Sequence, residues 1–293
     1  MRLAAGARVL LEGPGPFVMG VVNVTPDSFS DGGRFLDAED AVAHGMRLAA
    51  EGADLVDLGG ESTRPGSAPV PDADQIARVV PVVRALRARG LSLPISVDTT
   101  RAAVAGAALE AGADLVNDVS GLAADPALGE VVARASAPIV LMHMRGTPAD
   151  MQSRAVYGDV VAEVASELGE ALARATAAGI APERVVLDPG IGFAKTAAQS
   201  VELLARLPEL LARFPGRGFL VGPSRKSFIG QLTGAQVADR LPGTLAAVTV
   251  CVLAGVEIVR VHDVGPARQA AQVAAALRGA SPGRGEVTAP GPR

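Results

Sequence analysis

Gly52-Ala53-Asp54-Leu55-Val56-Asp57 returns as Gly112-Ala113-Asp114-Leu115-Val116-Asn117 and, more loosely, as Gly255-Val256-Glu257-Ile258-Val259-Arg260. Each glycine can end a helix in the left-handed turn that other residues avoid, and a short apolar run suited to a buried strand follows it. Any helix-to-strand junction in a parallel α/β protein has this form. The repeat therefore speaks for architecture and not for chemistry.

Outward from these copies, runs of the same kind occur eight times: Phe17–Val22, Asp54–Leu58, Pro94–Val97, Asp114–Val116, Pro138–Met142, Arg184–Leu187, Gly218–Val221 and Glu257–Val261. Segments with helical apolar spacing lie between them, among them Asp72–Arg89, Thr100–Ala111, Asp159–Ala178, Val201–Arg213 and Thr244–Ala254, and Val264–Leu277 closes the series. This alternation predicts an α/β fold, a (β/α)8 barrel. The barrel domain is expected over residues 17–280, behind a short appendage at 1–16. Residues 281–293, rich in Gly and Pro with little to bury, are expected to form a mobile tail.

A length of 293 residues suits one such barrel, and 49% apolar against 20% charged residues supplies a sizeable core. With 27 basic and 31 acidic residues, net charge −4, the chain lacks the basic excess of nucleic-acid and anionic-membrane binders. Neither is an expected partner. The single cysteine, Cys251, excludes an intramolecular disulfide, and its neighbours Val248, Val250, Val252 and Leu253 mark it as a buried hydrophobe. Arg8 and Glu12 interrupt the N-terminal apolar stretch, unlike a signal peptide. The longest uncharged run, Leu241 to Val256, is shorter than the roughly 18 residues of a membrane-spanning helix. A soluble cytoplasmic protein is expected.

The eight runs end in, or lead directly into, Asn23, Asp57, Asp98, Asn117, His143, Asp188, Ser224 and, past Arg260, His262. One aspartate at such a place is more often a turn former, but polar ends on every strand read as a pocket at the variable face of the barrel. Scarce residues gather in the same loops. Phe29, Phe35, Tyr157, Phe193 and Phe228 all follow strand ends in a chain with seven Phe, one Tyr and no Trp. Of these, Phe29 and Phe193 are the expected contacts of a flat ligand. Lys195 and Lys226 are the only lysines, in a chain that otherwise places its positive charge on arginine. A compact ammonium is wanted there, not a planar fork.

Arg64, Ser224-Arg225-Lys226 and Arg260-Val261-His262 suit an anionic leaving group, because arginine forks hold phosphate oxygens in pairs. Asp98, Asn117 and Asp188 offer the complement of an aminopyrimidinone edge. An anion on one side and a heterocycle on the other is what the residues imply. His44, His143 and His262 are not at metal-ligand spacing, His44 reads as a surface residue of a helix, and no nucleophile elbow, Walker loop or dinucleotide fingerprint occurs. Mg²⁺, which takes few protein oxygens, could still use Asn23 or Asp31.

Asn23-Val24-Thr25-Pro26-Asp27-Ser28-Phe29-Ser30-Asp31-Gly32-Gly33 resembles the first signature of the dihydropteroate synthase family. Gly59-Gly60-Glu61-Ser62-Thr63-Arg64-Pro65-Gly66 resembles the second. Ser96-Val97-Asp98-Thr99, Asn117-Asp118-Val119, Met142-His143-Met144, Asp188-Pro189-Gly190, Ser224-Arg225-Lys226-Ser227 and Arg260-Val261-His262-Asp263 follow in family order. The resemblance implies a transferase of folate biosynthesis on a TIM barrel that joins 6-hydroxymethyl-7,8-dihydropterin diphosphate to 4-aminobenzoate with Mg²⁺. It places Asp98, Asn117, Asp188 and Lys226 on the pterin, and Arg64, Arg260, His262 and Asn23 on the diphosphate and its metal. Thr63, Pro65, Phe29, Phe193 and Ser227 would border the aminobenzoate, and Asp31 would order the first loop. A homodimer through the late helices is implied as well. Ile191 and Ala194 stand where the family commonly has Phe and Gly. Two rivals remain open: a pterin-barrel methyltransferase using methyltetrahydrofolate, and a non-catalytic pterin-binding paralogue.

Overall fold

Gly52, Gly112 and Gly255 have φ of +96°, +113° and +109°. Their amides donate to the carbonyls of Ala49, Leu109 and Val252, each at 3.1 Å, and the next amides reach back to Leu48, Ala108 and Cys251. Both bonds satisfy helix-end carbonyls just as the chain turns into a strand. The acidic residue of each copy then ties two strands together. The amide of Asp54 donates to the Val18 carbonyl and the Val18 amide donates to Asp54 Oδ2; Asp114 repeats this with Ile95 and Glu257 with Phe219.

The computed structural model describes residues 1–24, 33–63 and 66–280, the side chains of 33–37 excepted. Residues 281–293, expected as a tail, lie outside this set. Two strands, β1 (Arg2–Ala5) and β2 (Arg8–Glu12), pair antiparallel in the stretch read as an appendage. The following eight are β3 (Phe17–Asn23), β4 (Leu55–Gly59), β5 (Ile95–Asp98), β6 (Leu115–Asp118), β7 (Ile139–Met142), β8 (Val185–Asp188), β9 (Gly218–Val221) and β10 (Ile258–Val261). They close into a parallel barrel in the order β10-β3-β4-β5-β6-β7-β8-β9. The (β/α)8 reading from sequence holds.

Helices α1 (Gly33–Ala50), α2 (Asp72–Ala88), α3 (Ala102–Ala111), α4 (Ala127–Arg134) and α5 (Val160–Ala177) surround the first half of the barrel. The stretch expected as one helix over Val201–Arg213 is two, α6 (Ala197–Ala205) and α7 (Leu207–Ala212). Pro208 in the first turn of α7 has no amide to continue α6, and Arg206 between them leaves helical geometry. α6 also begins four residues before the expected Val201, at a capping box formed by Thr196 and Gln199. Then come α8 (Ser227–Thr233), α9 (Leu241–Ala254) and α10 (Val264–Ala280). His44 is not the surface residue expected, because α1 packs on the sheet and brings its Nε2 within 3.2 Å of the Val21 carbonyl.

The barrel interior is layered. Met19, Leu55, Leu115, Val140, Val186, Leu220 and Ile258 form an apolar layer at the N-terminal end, sealed from below by Leu3 and Leu11 of the β1–β2 hairpin. Side chains two residues on share that inward face, because strand period is two. Above Leu55, Leu115, Val186 and Ile258 therefore stand Asp57, Asn117, Asp188 and Arg260.

Candidate active site

The last residues of the three repeat copies meet inside the barrel. Asn117 Nδ2 donates to Asp57 Oδ2 at 3.0 Å, and Arg260 Nε donates to the same oxygen at 2.6 Å. Arg260 Nη2 reaches Asp98 Oδ2 at 2.9 Å. The repeat thus carries chemistry after all: its acidic, amide and guanidinium ends build one buried polar floor. Asp57 is fully buried, and among the described residues its Oδ1 and the Ser96 hydroxyl next to it on β5 have no partner.

Burial pushes the Asp98 carboxyl up to about 7 against the pull of Arg260, with Asp57 and Asp118 adding to the rise. Asp188, at the end of β8, accepts from the Gly190 amide at 2.7 Å, yet burial still raises it to about 6. Lys226 is pulled down to about 8 by burial, opposed by Asp188 and Asp98 and reinforced by Arg260. Its ammonium lies 4.1 Å from the centre of the Phe193 ring, a cation–π contact. Arg260 is held above its ordinary value because Asp57 and Asp98 outweigh the cost of burial.

The structure therefore brings Asp98, Asn117, Asp188, Lys226, Phe193 and Arg260 to one mouth. Arg260 was expected to grip a diphosphate with its fork. Of that fork, Nε and Nη2 are paired with carboxylates. Arg225, read with the anion cluster, pairs through Nε and Nη2 with Asp263 at 3.0 and 2.6 Å. His262 Nδ1 lies 3.0 Å from Ser224 Oγ, and burial together with Arg260 and Arg225 drives its pKa down to about 3. It is a neutral imidazole, able to donate a hydrogen bond but carrying no charge. Ser227 opens α8 directly after Lys226, Thr63 is half-buried beyond β4, and Asn23 ends β3 in register with Gly59. Phe29, Asp31, Arg64 and Pro65 lie outside the described residues. Phe228 faces the core instead of the mouth.

Asp57 was visible as a strand end but was not among the expected site residues, since nothing local marks it as the partner of groups 60 and 203 positions away. A second set was not read as one: His143 and Lys195 stood out separately, and Glu167 and Arg145 not at all. His143 Nε2 lies 2.9 Å from Glu167 Oε2, Glu167 pairs with Arg145, and Lys195 Nζ lies 2.8 Å from His143 Nδ1.

A family model described as pterin binding enzyme matches residues 19–262. A dihydropteroate synthase of Synechocystis sp. is 46% identical over 276 residues, covering 94% of each chain. Among solved structures, the dihydropteroate synthase of Xanthomonas albilineans with 4-aminobenzoic acid superposes with a TM-score of 0.88 at 47% identity, over 96% of this chain and 99% of that one. A structure of the enzyme from the same organism in complex with 7,8-dihydropteroate gives 0.84 at 43% identity, over 96% and 100%. The chain belongs to the dihydropteroate synthase family of pterin-binding enzymes.

Proposed function

We propose that this chain condenses 6-hydroxymethyl-7,8-dihydropterin diphosphate with 4-aminobenzoate, forming 7,8-dihydropteroate and diphosphate. The observation that carries this is the convergence of Asp98, Asn117, Asp188 and Lys226 at the barrel mouth over the Asp57–Arg260 floor. Asp98 and Asp188 accept from the pterin's amino and ring N–H groups, which favour the charged carboxylates and draw both pKa values down again. The C–O bond to diphosphate breaks with its electron pair leaving on the diphosphate. The methylene cation left behind is delocalised into the pterin, in a site whose carboxylates tolerate positive charge. The aminobenzoate nitrogen lends its lone pair to the new C–N bond and sheds a proton to solvent. An arylamine is already neutral near pH 7, so no strong base is needed. Lys226, Arg64 and the neutral N–H of His262 stabilise the departing anion, which is electrostatic preorganisation. Arg260 contributes as part of the field and fixes Asp98. Phe29, Phe193, Thr63, Pro65 and Ser227 border the aminobenzoate, and Asp31 orders the first loop.

Mg²⁺ belongs to the same proposal. Asn23 offers one amide oxygen at the rim, and an ion that keeps most of its water suits such a donor beside phosphate oxygens. Among the described residues no cluster of three or more His, Cys, Asp or Glu could hold a metal, so the diphosphate would supply the remaining ligands. When bound, the ion neutralises charge on the leaving group.

Isothermal calorimetry tests this reading. 4-Aminobenzoate should bind measurably only with diphosphate and Mg²⁺ present, whereas a methyltransferase would have no diphosphate site; absence of diphosphate binding contradicts the assignment.

The pH profile of kcat/KM reports the free enzyme. It should rise as Asp188 and Asp98 ionise, at about 6 and about 7, and fall as Lys226 loses its proton at about 8. In Lys226→Arg the alkaline limb should vanish, because arginine stays protonated. An alkaline limb unchanged in that variant would contradict the role of Lys226.

A homodimer is part of the proposal too. Val250 and Leu253 of α9 and Val273 of α10 are exposed apolar residues, and Val250 also borders an apolar groove of about 380 Å³ against α6 and α8. Sedimentation equilibrium should show a dimer that Val273→Glu weakens. None of the described helices is long and apolar enough to cross a membrane.

A further inference from the structure

Lys195, which the mechanism does not use, is 3% exposed. Its three ammonium hydrogens face three acceptors: His143 Nδ1 at 2.8 Å, the Gly190 carbonyl at 3.1 Å and the Phe193 carbonyl at 3.0 Å. His143 can accept there because it is neutral, its pKa driven down to about 4 by burial and by Lys195, while its Nε2 donates to Glu167. No guanidinium fork or thioether can serve three acceptors in that geometry.

A second tether holds the same segment. The Tyr157 hydroxyl donates to the Ala194 carbonyl at 3.0 Å, with Arg145 packed 3.9 Å over the ring centre. The segment needs holding, since Gly190, Gly192 and Ala194 all have positive φ, +69°, +81° and +47°, and alanine lacks glycine's freedom there. It is also pressed against its neighbours. A Cβ on Gly190 would stand 2.0 Å from the His143 carbonyl oxygen, and one on Gly192 would stand 3.2 Å from Lys226 Cδ.

We infer that Lys195 and Tyr157 are positioning residues for the aminobenzoate side of the site: they lock residues 190–195 so that Phe193 presents its ring beside Lys226. This rests on the reading of Phe193 as a border of the aminobenzoate.

The test uses the full chain with Lys195→Met and Tyr157→Phe, each alone and combined with Phe193→Ala. Lys195→Met should raise KM for 4-aminobenzoate about tenfold and Tyr157→Phe about threefold, with affinity for the pterin diphosphate within about twofold. In the Phe193→Ala background both effects should shrink below about twofold, as expected for residues acting through one group. Tyr157 is the only tyrosine, so 3-fluorotyrosine labelling gives one ¹⁹F resonance. Lys195→Met should shift or broaden it. Unchanged KM in both variants, a full increase retained without Phe193, or an unmoved resonance would overturn the inference. If Lys195→Met fails to fold, Tyr157→Phe and its combination with Phe193→Ala decide. A wild-type chain that makes no dihydropteroate would refute the reading of the site itself. Turnover with a KM raised in Phe193→Ala but unchanged in Lys195→Met and Tyr157→Phe would refute only the positioning role.

Discussion

Lys226→Ala should lower kcat/KM by roughly a thousandfold, the upper range for removing one preorganised donor from a water-poor site. The half-buried Lys226 lies within the fields of Asp188, Asp98 and Arg260 and its ammonium sits over Phe193, so it is pre-aimed and partly stripped of water before substrate arrives. Lys226→Arg keeps the charge and should still be impaired. Its fork is wider than an ammonium, and the Lys226 stem runs so near Gly192 that a Cβ there would stand 3.2 Å from Lys226 Cδ. Steady-state kinetics on folded variants settles both, and full activity in Lys226→Arg would refute the argument from lysine scarcity.

Arg260→Met should cost about 3–5 kcal/mol of stability near neutral pH, the usual penalty for leaving buried carboxylates without their counter-ion. Asp57 is fully buried and Asp98 nearly so, and both lose a charged donor at once. The sign with pH follows from Asp98. Its carboxyl lies above the unfolded value of 3.8, so it folds most easily protonated, and its burden grows as pH rises from there to about 7 and is complete above it. The part of the deficit owed to Asp98 should therefore shrink on acidification. Urea unfolding at several pH values measures this; a loss below about 1 kcal/mol, the level of an exposed ion pair, would contradict the floor described above.

The barrel was legible because its evidence is local. Apolar runs, glycine C-caps and intervening helical spacing sit within a few residues of one another, and the eight strands agree with their expected bounds to within a residue or two. The polar rim was legible for the same reason, as each strand announced its own end. What joins those ends was not. Asp57, Asn117 and Arg260 meet because the barrel closes β10 onto β3, and the bond between Arg260 and Asp57 spans most of the chain. The same closure delivers two carboxylates to Nε and Nη2 of Arg260, pairings that its place beside His262 in the sequence did not announce. His262 was read as part of a cationic cluster, and burial beside two arginines makes it neutral. The β1–β2 hairpin escaped because its strands are short and half exposed, and their meaning lies in the barrel floor they cover. Lys195 and Tyr157 stood out only by scarcity; apart from His143, their partners are carbonyls, which no sequence pattern marks.

The most direct measurement is turnover by the purified chain with 6-hydroxymethyl-7,8-dihydropterin diphosphate, 4-aminobenzoate and Mg²⁺, following dihydropteroate by chromatography and diphosphate by a coupled assay. The account predicts equimolar formation of both products, dependent on both substrates. Folded chain that binds the pterin diphosphate and forms neither product would contradict it.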